Sequence, residues 1–241
     1  MAGSGSATSA WAPLRIGLFR TLWLAVLASN VGTWMQTVGA QWLVVHSAHA
    51  AILVSLVQTA YTLPAVLFAL VGGVLADLFN RVRLLVAVLT GMTVTAAALT
   101  ALTAAHRMPP ALLLMFTFLL GTGAILVAPA YQSLVPDMVP REQVPDAAAL
   151  SSININLARA IGPAIAGLLI ARIGVAAVFA LNTASLLLYA IVVACHPRLG
   201  GTPSIMTSQL ILSYFFGPIP KSHSPPIPRS AAAAGFPAGR R

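Results

Sequence analysis

A chain of 241 residues that is 59% hydrophobic and only 7% charged cannot wet the surface of a soluble domain, which ordinarily carries about a quarter charged residues, so most of its surface must face lipid. Its net charge of +9 does not point to nucleic acid, because the basic residues are scattered between apolar runs without a basic stripe or interleaved aromatics. The lone Cys195 excludes an internal disulfide, and neither it nor His46, His49, His106, His196 and His223 form a ligand spacing, so no metal or cofactor is expected.

Hydropathy divides the chain into six candidate spans, at about 19–45, 52–76, 84–105, 111–134, 147–171 and 175–195. Each is near the roughly 20 residues that cross a bilayer. The runs are unbroken, whereas the strands of a membrane barrel alternate apolar and polar residues, so helices are expected. The reading is an all-α membrane protein with three parts. They are a cytoplasmic segment 1–18, a six-helix transmembrane domain 19–198 and a tail 199–241.

Arg15 and Arg20 before LWLAVLAS resemble a secretory signal. The apolar stretch nonetheless runs on well past the 7–15 residues of a signal core, so the first helix is read as retained. It carries Asn30, Gln36, Thr37 and Gln41. Positions 30, 37 and 41 share one helical face, and Gln36 lies at its edge. Such amides either hold helices together or line a substrate cavity. Trp34 and Trp42 fit a cavity wall and a lipid interface equally well.

Between the second and third spans runs Gly72-Gly73-Val74-Leu75-Ala76-Asp77-Leu78-Phe79-Asn80-Arg81-Val82-Arg83. The paired glycines allow close helix approach, Asp77 sits where a helix leaves the bilayer, and Asn80 suits a tight turn. A short charged loop and a functional gate both fit these residues. Further on, the prolines of 129–147 are expected to end the fourth helix and set up the fifth, with Asp146 as its cap.

The fifth span holds Gly162, Pro163, Ala166 and Gly167, a small-residue face with a bend. Arg159 lies inside the same span, where an unpaired charge costs at least ~2.5 kcal/mol. It is either a substrate-facing or gating group, or an arginine snorkelling toward Asp137 or Glu142. Arginine placement gives the orientation. Arg15, Arg20, Arg81, Arg83, Arg141 and Arg198 fall on one side against Arg107 and Arg172 on the other, which puts both termini in the cytoplasm. After Gly200 the chain turns Pro- and Ser-rich, and a disordered tail is expected.

Gly73-x-Leu75-Ala76-Asp77-x-x-Asn80-Arg81-x-Arg83 resembles the loop signature of the major facilitator superfamily, with Leu78, Asn80 and Val82 departing from its pattern. Gly162-Pro163-x-x-Ala166-Gly167 is similar to an element of the exporters in that superfamily, with Ala166 in place of a glycine. The 129–147 stretch is similar to the loop of the drug-efflux subgroup that includes the enterobactin exporter. The resemblance covers about 15–198 and implies the amino-terminal half of a twelve-helix fold in the cell membrane. It implies proton-coupled export of small molecules such as drugs or siderophores by alternating access. It also implies a cytoplasmic latch at Gly73, Asp77, Asn80, Arg81 and Arg83, a bending motif at Gly162, Pro163 and Gly167, and a first helix whose polar face lines the cavity.

Partners then include the bilayer, a small-molecule substrate, protons, and a second six-helix half or a second copy of the chain. The composition change after about 200 reads as a shifted frame or a truncation, with a dimeric half-transporter as the other reading. Asp77, Asp137, Glu142 and Asp146 all map to the cytoplasmic edge, so no span offers an obvious proton carrier. A non-transporting membrane scaffold is the alternative. An enzyme is not expected, since no Ser/His pair, intramembrane acid pair or HExxH is present.

Overall fold

In lipid no water satisfies a bare N–H or C=O, so each apolar run closes its backbone bonds within itself and folds as a helix. The structure, a computed structural model, describes residues 10–78 and 81–196, of which 69–78 by backbone alone. A short 3-10 turn, Ala12–Arg15, precedes α1 (Gly17–Val44). There follow α2 (Ala50–Leu78), α3 (Arg81–Ala104), α4 (Pro110–Met138), α5 (Val144–Ile173) and α6 (Val175–Ala194). Among the described residues there is no strand. Five helical stretches are long and apolar enough to cross a membrane, one each from α2 to α6. α1, counted as a span from its sequence, is less apolar because Asn30, Gln36, Thr37 and Gln41 dilute it. It buries residues along its whole length, from Phe19 to Val44. The chain is thus a multi-pass membrane protein.

Two connections show their causes locally. α3 ends with His106 in the left-handed region (φ 55°), its N–H donating to Thr103 O and the Arg107 N–H to Leu102 O. These two hydrogen bonds satisfy otherwise orphaned carbonyls at the helix end. α5 and α6 are joined by Gly174 alone, at φ 95°, a backbone that L side chains rarely adopt. Its N–H donates to Leu169 O and Ile170 O.

Two sequence expectations change at the α4–α5 corner. α4 does not stop near 134 but runs through Pro129 and Pro136 to Met138. In a membrane helix, neighbouring elements can absorb the backbone group that a proline frees. Asp146 does not cap α5: Gln143 holds the cap position, and Asp146 lies in the first turn. There its charge favours the positive end of the helix dipole. The expected tail, 199–241, lies outside the described residues.

α1 packs on α5 and α6, α3 on α6 and α4, and α2 on α4. Exchanging α1 with α4, α2 with α5 and α3 with α6 maps the α1–α5 pair onto α4–α2 and the α1–α6 pair onto α4–α3. Consecutive spans alternate in direction, so the two three-helix units are inverted relative to each other, a common plan of secondary transporters. α2 and α5 occupy the equivalent outer positions. The core between them is built on Phe19, Leu22, Met35, Leu85, Leu99, Leu134, Phe179 and Leu186.

Candidate functional site: the α1–α5 face

The indole N–H of Trp23 donates to Leu150 O at 3.0 Å, across from α1 to α5. One turn on, Asn30 Nδ2 donates to Asn154 Oδ1 at 2.9 Å, and Asn154 Nδ2 donates to Trp23 O at 2.9 Å. Asn154 is 1% exposed, so both ends of its amide are used where an unmet polar group would be costly. Further along, a Cβ on Gly162 would meet Trp34 Cβ at 2.6 Å and Val31 O at 3.2 Å. The contacts climb both helices in the same order, so α1 and α5 run parallel and close together.

At the level of this glycine the guanidinium of Arg159 lies over the Trp34 ring, 5.0 Å from its centroid. This is a cation–π arrangement. Arg159 is the sixteenth of the 30 residues of α5, about 22 Å from either end at 1.5 Å per residue. It is exposed on the six-helix bundle. Pro163 removes the N–H that would normally bond the Arg159 carbonyl.

The exposed surface of α5 has two sides. Ser152, Asn156, Arg159, Pro163 and Gly167 follow one another at steps of three and four residues, and all but the half-buried Pro163 are exposed. They therefore share a side. Ile153, Leu157, Ala160, Ile161, Ala164 and Leu168 are exposed on the other side. Asn30, Trp34, Thr37 and Gln41 are spaced in the same way on α1, and all are half-buried. Thr37 Oγ1 donates to Thr33 O at 3.1 Å. Trp42 is exposed and packs edge-on against His46, their rings 5.6 Å apart.

Gln36 turns elsewhere. It is 4% exposed and accepts from Asn182 Nδ2 of α6. A Cβ on Gly32 would meet Asn182 Oδ1 and Ser185 Oγ at 2.5 Å, so these helices touch almost backbone to side chain. Beside the amide pair is a void of about 10 Å³, lined by Thr33, Gln36, Tyr61, Met92, Leu120, Asn182 and Leu186. That is room for about one water. The void is too small for a solute larger than water.

Of the other candidates, Arg81 opens α3 and its Nη1 donates to Ser133 O of α4 at 3.3 Å. It thereby places its charge near the carboxyl end of α4, where the dipole welcomes it. Arg83 is exposed in the same first turn. Gly73 and Asp77 lie on the last turns of α2, where only the backbone is described, and Asn80 lies outside the described residues. Gly162 is buried at the α1 contact, whereas Gly167 is exposed, and a Cβ added there would meet nothing within 4 Å.

Sequence reasoning passed over Asn154 and Asn182, the partners of the α1 amides, and the polar side of α5 at Ser152 and Asn156. The spacing 152, 156, 159, 163 was the available signal for the latter. It also missed Ser55, Gln58, Thr59 and Thr62, an exposed polar side on α2. Its three hydroxyls donate to carbonyls of their own helix, at 2.9 Å from Ser55, 2.9 Å from Thr59 and 3.0 Å from Thr62.

The transmembrane secretion effector family matches residues 8–213, which span all six helices. The chain is similar to the staphyloferrin A transporter of Staphylococcus aureus (strain NCTC 8325 / PS 47), 28% identical over 142 residues, which cover 58% of this chain and 36% of that protein. It is also similar to the uncharacterized MFS-type transporter YfiS of Bacillus subtilis (strain 168), 26% identical over 179 residues, 74% of this chain and 42% of the relative. The chain thus matches less than half the length of either relative. No solved structure matches it significantly. With the inverted three-helix units and the family match across all six helices, the chain belongs to the transmembrane secretion effector family of major facilitator transporters.

Proposed function

We propose that the chain supplies the amino-terminal six-helix half of a proton-coupled exporter of small molecules, drugs or siderophores among them, in the cell membrane with both termini cytoplasmic. The observation that carries this reading is Arg159, a cation at the middle of α5 and exposed on the bundle. A charge at that depth is incompatible with lipid contact and requires water or protein against it. The polar sides of α1 and α5 then line the substrate path, closed on the far side by a second six-helix half or a second copy of the chain. Alternating access follows if the two halves rock about that path. Support for the transported class comes from the name of the S. aureus relative, and support for outward direction from the family description.

In this reading Asp77, Arg81 and Arg83 latch the cytoplasmic ends of the halves together, with Gly73 and Asn80 shaping the turn. Arg81 is already braced on α4, so it orients the loop and leaves Asp77 to meet the other half. Asp137, Glu142 and Asp146 lie at or beside the α4–α5 corner, so with Asp77 they are the acids that this chain offers for proton coupling.

The test is flux. Inside-out vesicles carrying the full chain should accumulate the anionic dye 5-carboxyfluorescein on imposing a proton gradient, and Asp77→Asn should abolish the accumulation without loss of helix content. A folded, inserted chain that moves no dye would sink the exporter made of two copies of this chain and favour a non-transporting scaffold.

A further inference from the structure

The Arg159 guanidinium has one face on Trp34 and open edges. None of its N–H groups donates to another described residue, and no carboxylate pairs with it among the described residues. The neighbours on its side of α5 do not compete for it. Asn156 Nδ2 donates to Ser152 O at 2.9 Å and Ser152 Oγ to Ala148 O at 3.3 Å, both within the helix. A guanidinium stacked on an aromatic ring is held in orientation while its edge still offers a planar fork of donors. That fork matches a carboxylate, which it can bind through two parallel bonds.

Charge leads to the same partner. At mid-depth the described spans present this one cation and no acid, so the polar side of α1 and α5 carries an uncompensated positive field. In a low-dielectric setting the field favours an anion far more strongly than it would in water.

Building on the exporter reading, we infer that Arg159 and Trp34 form an anion-selective subsite that takes a carboxylate-bearing small molecule, with an aromatic or planar portion seated beside the Trp34 ring. Asn30, Thr37 and Gln41 flank it along α1 and supply hydrogen bonds to the uncharged part of the molecule. Arg159 sets the charge class, and Trp34 fixes the plane in which that charge is met.

The experiment compares two probes of one shape: 2-naphthoate and its neutral amide, 2-naphthamide. Full chain in nanodiscs of zwitterionic lipid is equilibrated with each by dialysis, with circular dichroism and thermal midpoint as folding checks. The wild-type chain should bind the carboxylate at least tenfold more tightly than the amide. Arg159→Gln should erase that difference, Arg159→Lys should keep a reduced preference, and Arg107→Gln, at an exposed outer loop, should leave it unchanged. Equal binding of the two probes by the wild-type chain overturns the subsite. So does a folded Gln variant that keeps the preference, or, where the Gln variant does not fold, a folded Lys variant that shows none. Failure of the exporter reading is separable: carboxylate preference without dye flux retains the subsite and removes the exporter, and flux without preference does the reverse.

Discussion

The two outer seams of the bundle, α1–α5 and α4–α2, occupy equivalent places and are fastened by different means. On the first, the Trp23 indole and the Asn30–Asn154 pair bridge the helices with hydrogen bonds before Gly162 brings the backbones together. On the second, no side-chain hydrogen bond joins α2 to α4 among the described residues. Gly121 lies directly against Tyr61 O and Pro64 instead, and Phe68 meets Phe118 edge-on at 6.5 Å. Apolar side chains gain nothing from leaving lipid for a neighbour, so close packing and polar bridges are the two available fasteners. The α1–α5 seam adds polar bridges to its close packing, and it is also the seam that carries the unpaired cation. A helix that must keep a charge in place benefits from bonds that fix its rotation as well as its distance.

Unfolding the full chain in bicelles with a denaturing detergent would test this contrast. The largest loss is expected from Gly121→Ala, about 3 kcal/mol, because the added methyl meets a main-chain oxygen that cannot rotate away. Gly162→Ala should cost about 1–3 kcal/mol, since Trp34 Cβ and Val31 O can yield only if α1 shifts. If the second exceeds the first, the close-packed seam is not the more rigid one. Asn154→Leu should follow at about 1–2 kcal/mol. The share due to the Asn30 bond, about half, should vanish in an Asn30→Ala background while the share due to the Trp23 O bond remains, as a double-mutant cycle would show. Independent losses would mean that the two amides do not act as a pair. Gly167→Ala, on the same helix as Gly162, should stay within about 0.5 kcal/mol because its side is open.

That last pair marks the limit of what the sequence discloses. Gly162 and Gly167 belong to one recognisable motif, yet only the first touches another helix, and nothing in the local pattern separates them. The six helices themselves are plain from their apolar runs, since chain length in lipid leaves few choices. Their ends are not, because Pro129 and Pro136 read as breakers until the surrounding helices are in place. The α1 amides stand out in an apolar helix, but their partners do not. Asn30 reaches α5 and Gln36 reaches α6, on different sides of one helix, and that division depends on tertiary packing rather than spacing. Arg159 was visible as an oddity, whereas its stacking on Trp34, four helices earlier in the chain, was not.

Gly174 has a mechanical consequence. A single residue between two helices leaves no slack, so α5 can neither slide along the membrane normal nor turn about its axis without moving the head of α6. α6 is wedged between α1 and α3. A displacement of α5 is thus carried at once to the head of α6 and, through its packing, to α1 and α3.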